Sequence, residues 1–457
     1  MSPQHPTSNT TTYLDQPPSC LQFWPGSPNN FVIGTYLLSS ETKSNSDPDT
    51  TEYDDSSENE QTETIHQTKT GSLQLWSLNP ETNALTQLLR HPLPHAVFDL
   101  HFHPRIPNLL GIATSAGSVS LFIVSVSDSD SDGKETGFTH LATYSLHEDP
   151  SISALFLDWL PKGWLPESGS GSERDGFAVT FSDGRTGVFC VDTTAVVERG
   201  AAGSEHDEAA ELALFNAKQP IEIWFVAAAA FPHQSQATED KNSPQSTPYL
   251  FTGDDFGALQ TIRFPDTGPS ADQGSESESE SDQLPAPLLN TSDRALHHTA
   301  GVTSILPLPI PLDHGLTSGS PLLLTGSYDE SLRVYHAAGR GRVVAEEGLG
   351  GGVWRLQLLD TTTTTAGGET WTFLVLASCM HGGTRVVRVV VSAGDRGEDA
   401  SAEIEVLAEF TEHESMNYAS GVWGLDWQRR AVDEGSEMKV VSSSFYDKRV
   451  CVWSVKV

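Results

Sequence analysis

Five side chains in this sequence are of types that can move a proton or act as a nucleophile: Glu222, His298, His381, His413 and Ser415. A histidine can take or give a proton near neutral pH. His413 and Ser415 stand two apart in HESMNY (413–418), a spacing that offers a nucleophile and a base. His381 lies in CMHGG (379–383), and Glu222 opens the apolar run IEIWF (221–225). For each there is a plainer alternative: a capped or buried glutamate, a histidine tied into a loop, a serine that any loop can hold. His298 stands four residues before Val302, where a structural hydrogen bond is the simpler reading. Gly348–Trp354 (GLGGGVW) packs four glycines into five residues. Amides of Gly351 and Gly352 can face an anion or a developing oxyanion, or the segment can simply be a tight turn. Tyr328, Trp354, Trp423 and Tyr446 fall near expected loops, and aromatic faces attract cations. Tyr328, Trp354 and Tyr446, with Gly351 and Gly352, form the expected binding set.

Other chemistries lack their signatures. The sequence has no G-x-S-x-G elbow. His413-Glu414 does not continue to a second histidine, so it is not a zinc helix. Neither a Walker loop nor a dinucleotide or methyl-donor glycine loop is present. The expectation is no metal and no cofactor.

The elements that must position these residues repeat. Leu322–Tyr335 (LLLTGSYDESLRVY) and Val440–Trp453 (VVSSSFYDKRVCVW) share a strand, an acid-bearing turn and a second strand. Leu250–Arg263 and Phe177–Val191 are looser copies. Asp183, Asp255, Asp329 and Asp447 fall in that turn, where aspartate bonds its own backbone. Such a recurring unit is the middle of a four-stranded propeller blade. Second strands near 31–38, 109–115, 177–182, 249–254, 322–327, 373–379 and 440–446 predict an all-β, seven-bladed WD-repeat propeller over 10–456. First strands are expected at Val97–Phe102, Ile152–Trp159, Ile221–Phe231, Val302–Leu308, Val353–Leu359 and Val422–Trp427. The last blade then lacks an outer strand, and Thr10–Leu14 is predicted to supply it, which removes exposed edges.

Polar insertions pad the ring at 39–70, 126–137, 193–209, 233–247 and 266–290. Those at 39–70 and 266–290 read as disordered acidic segments and the others as loops. The chain of 457 residues carries 26 Lys+Arg against 61 Asp+Glu, a net charge of −35. That balance argues against nucleic acid, whose phosphates need a basic footprint, and against anionic membranes. It favours a basic or cationic partner. Four separated cysteines, no leader-like N-terminus and no membrane-length apolar run predict a cytoplasmic protein. A closed ring needs no partner copy, so a monomer is expected.

Taken together, GTYLL (34–38), IEIWF (221–225), FTGDD (251–255), HTAGV (298–302), TGSYDE (325–330), GGGVW (350–354), CMHGG (379–383), HESMNY (413–418) and SSFYDKRVCVW (443–453) occur in this order. The series resembles the WD-repeat family of diphthine methyl ester hydrolases of diphthamide biosynthesis. Tyr418 is followed by ASGVWGLDW, longer than the family's usual run to its Asp-Trp, here Asp426 and Trp427. Val334, Tyr335 and His336 replace the family's Leu-Trp-Asp. The resemblance implies hydrolysis of the methyl ester of methylated diphthine on translation elongation factor two, giving diphthine for the final amidation. The alternative is a non-catalytic scaffold that binds a protein through the top of the ring.

Overall fold

The computed structural model describes residues 2–43, 64–126, 136–166, 174–200, 208–233, 246–267, 283–293, 298–365, 369–393, 400–424 and 436–457. Among these, the strands form seven antiparallel sheets, each one blade of a propeller. From the inside outward, the second blade is Val97–Phe102, Leu109–Thr114, Ser118–Ser125 and Gly137–Ser145. The third runs through Ala154–Trp159, Asp175–Phe181, Arg185–Val191 and Ala210–Asn216. The fourth has Ile223–Pro232, Ser246–Asp254, Leu259–Arg263 and Leu289–Asp293. The fifth has Val302–Pro307, Leu322–Ser327, Ser331–His336 and Arg342–Gly348. The sixth has Arg355–Thr364, Thr370–Ser378, Thr384–Ala393 and Ala400–Phe410.

The first blade departs from the rule. It holds Pro18–Phe23, Asn30–Thr35, Thr64–Leu78 and Leu85–Leu93. A fifth strand, Leu37–Lys43, pairs with the front half of the long third one, from Leu37↔Thr70 to Lys43↔Thr64. The segment expected as an insertion at 39–70 therefore begins and ends as a paired hairpin, and its middle lies outside the described residues. The 193–209 loop likewise opens with a helix, Thr193–Arg199, whose Asp192 side chain accepts from the Ala195 amide, a typical N-cap. The remaining insertions lie mostly outside the described residues.

Closure follows the predicted route. Ser8–Tyr13 pairs with Arg449–Lys456 as the outer strand of the seventh blade, in register Thr11↔Cys451. Leu14 then buries beside Phe31, Ile33, Val450 and Val452. Upstream, Gln4 exchanges backbone bonds with Leu407 and Glu409 of the sixth blade, each 2.8 Å. One segment thus stitches two blades.

The seventh inner strand corrects the sequence reading. It spans Ala419–Val422, not Val422–Trp427, and 425–435 lie outside the described residues. Its small residues explain the shift: a Cβ on Gly421 would meet the side chains of Leu21 and Phe23 at 3.0 and 3.1 Å. The crowded axis selects Ala-Ser-Gly over the bulkier run that follows.

The blades interlock through large side chains. Trp453 is fully buried and stacks on Phe410 of the sixth blade, centroids 5.0 Å apart. Gly326 of the TGSYDE turn has a packing cause: a Cβ there would lie 2.5 Å from Val353 of the next blade. Among the described residues no helix is long and apolar enough to cross a membrane.

Candidate functional site at the mouth of the ring

Antiparallel pairing gathers the unusual loops on one face. In each blade the start of the inner strand pairs with the end of the second strand, as in Ile223↔Asp254, Val302↔Ser327, Arg355↔Ser378 and Ala419↔Ser443. The connections carrying Glu222, His298, Trp354, His413 and Tyr418 therefore share a face with the turns carrying Asp255, Tyr328–Glu330, Met380–Gly383 and Phe445–Asp447.

An aromatic wall occupies this face. Trp354 lies 5.6 Å from Trp224, 5.9 Å from Tyr328 and 4.9 Å from Tyr418, centroid to centroid. The wall continues from Tyr418 to Phe445 at 5.3 Å, to Tyr36 at 6.2 Å and to Phe98 at 5.3 Å. Each of these rings is only partly buried. Trp224 and Phe98 join it because the inner strands bulge there. Register shifts between Ile223 and Phe225, and between Val97 and Asp99, leave one extra residue that the bulge re-aims. Asp255 accepts from the Trp224 indole at 2.6 Å, and its backbone amide donates to the Glu222 carbonyl at 3.0 Å. Burial, followed by the charge of Asp255 and a smaller effect of Glu222, raises the pKa of Tyr328 far above its ordinary value. The ring thus stays neutral and electron-rich. Aromatic faces beside carboxylates are a surface that attracts cations.

Beside the wall, three loops converge. Leu349 donates to the Glu330 carbonyl at 2.9 Å, and Trp354 donates to the Ser378 carbonyl at 2.8 Å. Gly351 fits against the CMHGG turn so closely that a Cβ would lie 2.2 Å from the Cys379 carbonyl and 2.5 Å from the Gly382 nitrogen. A Cβ on Gly352 would lie 2.7 Å from the Met380 sulfur. Close packing thus explains both glycines. Among the described residues no hydrogen bond occupies the amides of Gly351 or Gly352, so they remain donors in reserve. His381 projects from the same turn, its side chain 56% exposed, with Nε2 3.4 Å from Glu330 Oε1. It is an exposed imidazole beside the glycine-rich segment.

His298 and His413 are tied into the blades instead. Buried His298 sets Nε2 3.0 Å from Thr325 Oγ1 and Nδ1 3.0 Å from Asp329 Oδ1. Burial raises the Asp329 carboxyl, but His298 and the amides of Thr299 and Ser331 outweigh it and hold the carboxyl well below its usual range. His413 faces the Ser442 hydroxyl at 2.8 Å, which also accepts from the Trp453 indole at 3.0 Å. Burial lowers its pKa to about 4. His147 contacts Asp183 in the third blade at 3.1 Å. A histidine that ties the loop before the inner strand to the blade recurs in the third, fifth and seventh blades. The pairing of His413 with Ser415 is not formed. Ser415 Oγ donates to Asp447 at 2.8 Å and accepts from the Tyr446 amide at 2.9 Å, so its hydroxyl locks the turn.

Two further placements differ from the sequence reading. Asp255 does not close its turn, because Asp254 does: Asp254 Oδ1 accepts from the amides of Phe256 and Ala258 at 3.0 and 2.8 Å. Trp423 sits at the far end of its strand, with its indole on Asn29 at 2.8 Å. Tyr446 stands at the rim, 69% exposed, touching Phe445. Sequence reasoning passed over Asp255 as a wall carboxylate and Tyr36, Phe98, Tyr418 and Phe445 as wall members. The available signal was aromatics recurring at the head of inner strands. Among the described residues no three His, Cys, Asp or Glu side chains cluster as metal ligands.

The strand order and the loop-to-turn histidine bonds define a seven-bladed propeller of the WD-repeat class with an aromatic, acidic mouth. Among curated proteins, the chain is similar to the diphthine methyltransferase of Schizosaccharomyces pombe, 34% identical over 161 residues, covering 35% of this chain and 39% of that protein. It is also similar to human diphthine methyltransferase, 30% identical over 145 residues, covering 32% of this chain and 25% of that protein. The matches thus span well under half the length of those relatives. A solved WD-repeat structure, Sqt1 of Chaetomium thermophilum bound to the N-terminus of a ribosomal protein, covers 98% of this chain and all of that one at 13% identity and a TM-score of 0.48. No protein-family model matches the chain.

Proposed function

We propose that this protein hydrolyses the methyl ester of methylated diphthine on translation elongation factor two, giving diphthine for the final amidation. The supporting observation is the aromatic wall of Trp224, Tyr328, Trp354 and Tyr418 flanked by Glu222 and Asp255. The intermediate carries a quaternary ammonium, which such a surface holds by about 0.5–2 kcal/mol per well-placed ring. The names of the curated relatives supply the pathway.

In this reading His381, oriented by Glu330, takes a proton from water. The water oxygen bonds to the ester carbonyl carbon, and the oxyanion is met by the amides of Gly351 and Gly352. The acyl carbon–methoxy bond then breaks. The methoxide takes the proton from His381 and leaves as methanol, and the new acid ionises to a carboxylate. The acidic surface suits a basic partner, and the reaction belongs to the cytosol with the protein as a monomer.

The test incubates the purified chain with elongation factor carrying methylated diphthine and follows methanol release and loss of the ester by mass spectrometry. Stable binding without methanol would replace hydrolysis with a scaffold role.

A further inference from the structure

Below the aromatic wall, a cavity of about 140 Å³ lies between inner strands of the first, second, sixth and seventh blades. Ser19, Cys20, Asp99, His101, Arg355 and Tyr418 are among its lining residues. Tyr418 belongs also to the wall, so cavity and mouth meet at that ring. The space exceeds the ~30 Å³ share of one water and admits a carboxylate.

Arg355 dominates the chemistry. Its guanidinium stacks 4.6 Å from the Trp354 ring and 4.7 Å from Phe156. Nη1 donates to the carbonyls of Thr303 at 3.0 Å and Trp354 at 2.9 Å. Among the described residues no carboxylate lies within ion-pair distance of it, although Asp99 on the same cavity wall acts on it through its charge. The nearby acids are otherwise engaged. Asp99 lies 2.9 Å from His101 Nε2. Asp158 accepts from the Ala228 amide at 2.8 Å, and burial pushes its carboxyl up to about 7. Burial also pushes the Cys20 thiol up, so it carries no charge. Arg355 is part-buried, and among the described residues only its Nη1 has hydrogen-bond partners, so the rest of the guanidinium is available to an anion that enters the cavity.

We infer that this cavity is an anion site built on Arg355, which takes the carboxylate of a zwitterionic ligand whose quaternary ammonium rests on the aromatic wall. A free anion is opposed by the chain's net charge of −35. A zwitterion escapes that opposition, because its cationic end satisfies Glu222 and Asp255. The choice of ligand rests on the proposed ester hydrolysis, whose product is such a zwitterion and whose ester substrate is not. The acid therefore binds more tightly than its ester, and the enzyme is restrained by its own product.

The test titrates the full chain with tetramethylammonium, acetate, γ-butyrobetaine and γ-butyrobetaine methyl ester, read by calorimetry and tryptophan fluorescence. Expected is an affinity for γ-butyrobetaine about tenfold above its ester, with acetate weak. Arg355→Gln brings acid and ester to parity and leaves tetramethylammonium binding intact, while Arg355→Lys keeps part of the preference. The wild-type comparison needs no variant and stands even if Arg355→Gln fails to fold. Equal binding of acid and ester by the wild type, or a preference that survives Arg355→Gln, overturns the anion site alone. Failure to bind tetramethylammonium overturns the cation-binding mouth instead.

Discussion

Replacing His413 separates structure from catalysis most sharply. Its imidazole faces Ser442, packs edge-on to Phe410 at 5.2 Å, and is buried. His413→Ala removes one buried hydrogen bond, about 1 kcal/mol, and leaves a gap beside Phe410 and Trp453, about 1–3 kcal/mol more. The expected loss is about 2–4 kcal/mol. A pH signature accompanies it. The folded pKa of about 4 lies below the ordinary histidine value of about 6.5, so the unfolded chain binds a proton that the native one refuses. His413 therefore places no burden on stability above pH ~6.5, and the native state weakens as pH falls from there toward 4. The full span is worth on the order of 3 kcal/mol. Asp447 and Glu412 favour the charged form and Arg449 opposes it, and desolvation outweighs them all. Urea titrations of wild type and His413→Ala at several pH values measure both effects. The variant should lose stability at pH 7 and show a shallower decline between 6.5 and 4, while methanol release per folded molecule is retained. Unchanged stability with abolished turnover would refute the structural assignment and restore His413 as a catalytic base.

Deleting the first fourteen residues should cost on the order of 3–5 kcal/mol, from the outer-strand hydrogen bonds and Leu14 burial, and should promote aggregation through the bared edge. Melting and light scattering check this. His381→Ala should leave melting unchanged, since the side chain is exposed, and should slow ester cleavage 10²–10⁴-fold. Gly351→Ala should destabilise by about 1–3 kcal/mol through the clash with Cys379, whereas Gly315→Ala, with no atom within 4 Å of the added carbon, should not. Trp354→Ala should weaken tetramethylammonium binding severalfold, and Trp423→Ala at the opposite end of its strand should not.

The ring was legible because its signal is periodic: an acid-bearing turn between apolar strands recurs, and the chain needs one more strand to close. The site was legible only in part. His298 and His413 stand out in sequence for the same reason Asp329 does, yet repetition marks all three as structural, and His147 completes the pattern. The doubled acid Asp254-Asp255 hides its division of labour. The first closes the turn and frees the second for Trp224, a choice made by backbone geometry. Bulges at Trp224 and Phe98 escape a strict two-residue alternation, because one unpaired residue reverses which face a side chain meets. Arg355 reads as an ordinary strand residue, and its place on a cavity wall appears only when inner strands from several blades are assembled.

The stitch between Ser8–Tyr13 and Arg449–Lys456 joins residues far apart in synthesis, Thr11 and Cys451 being 440 positions apart. On the ribosome the early strand waits, hydrogen-bond groups unpaired, until its distant mate emerges. Contacts of such long range form slowly. Six blades can assemble as they are synthesised, but the circle locks only when the distant strand arrives, and until then the nascent molecule exposes an adhesive border.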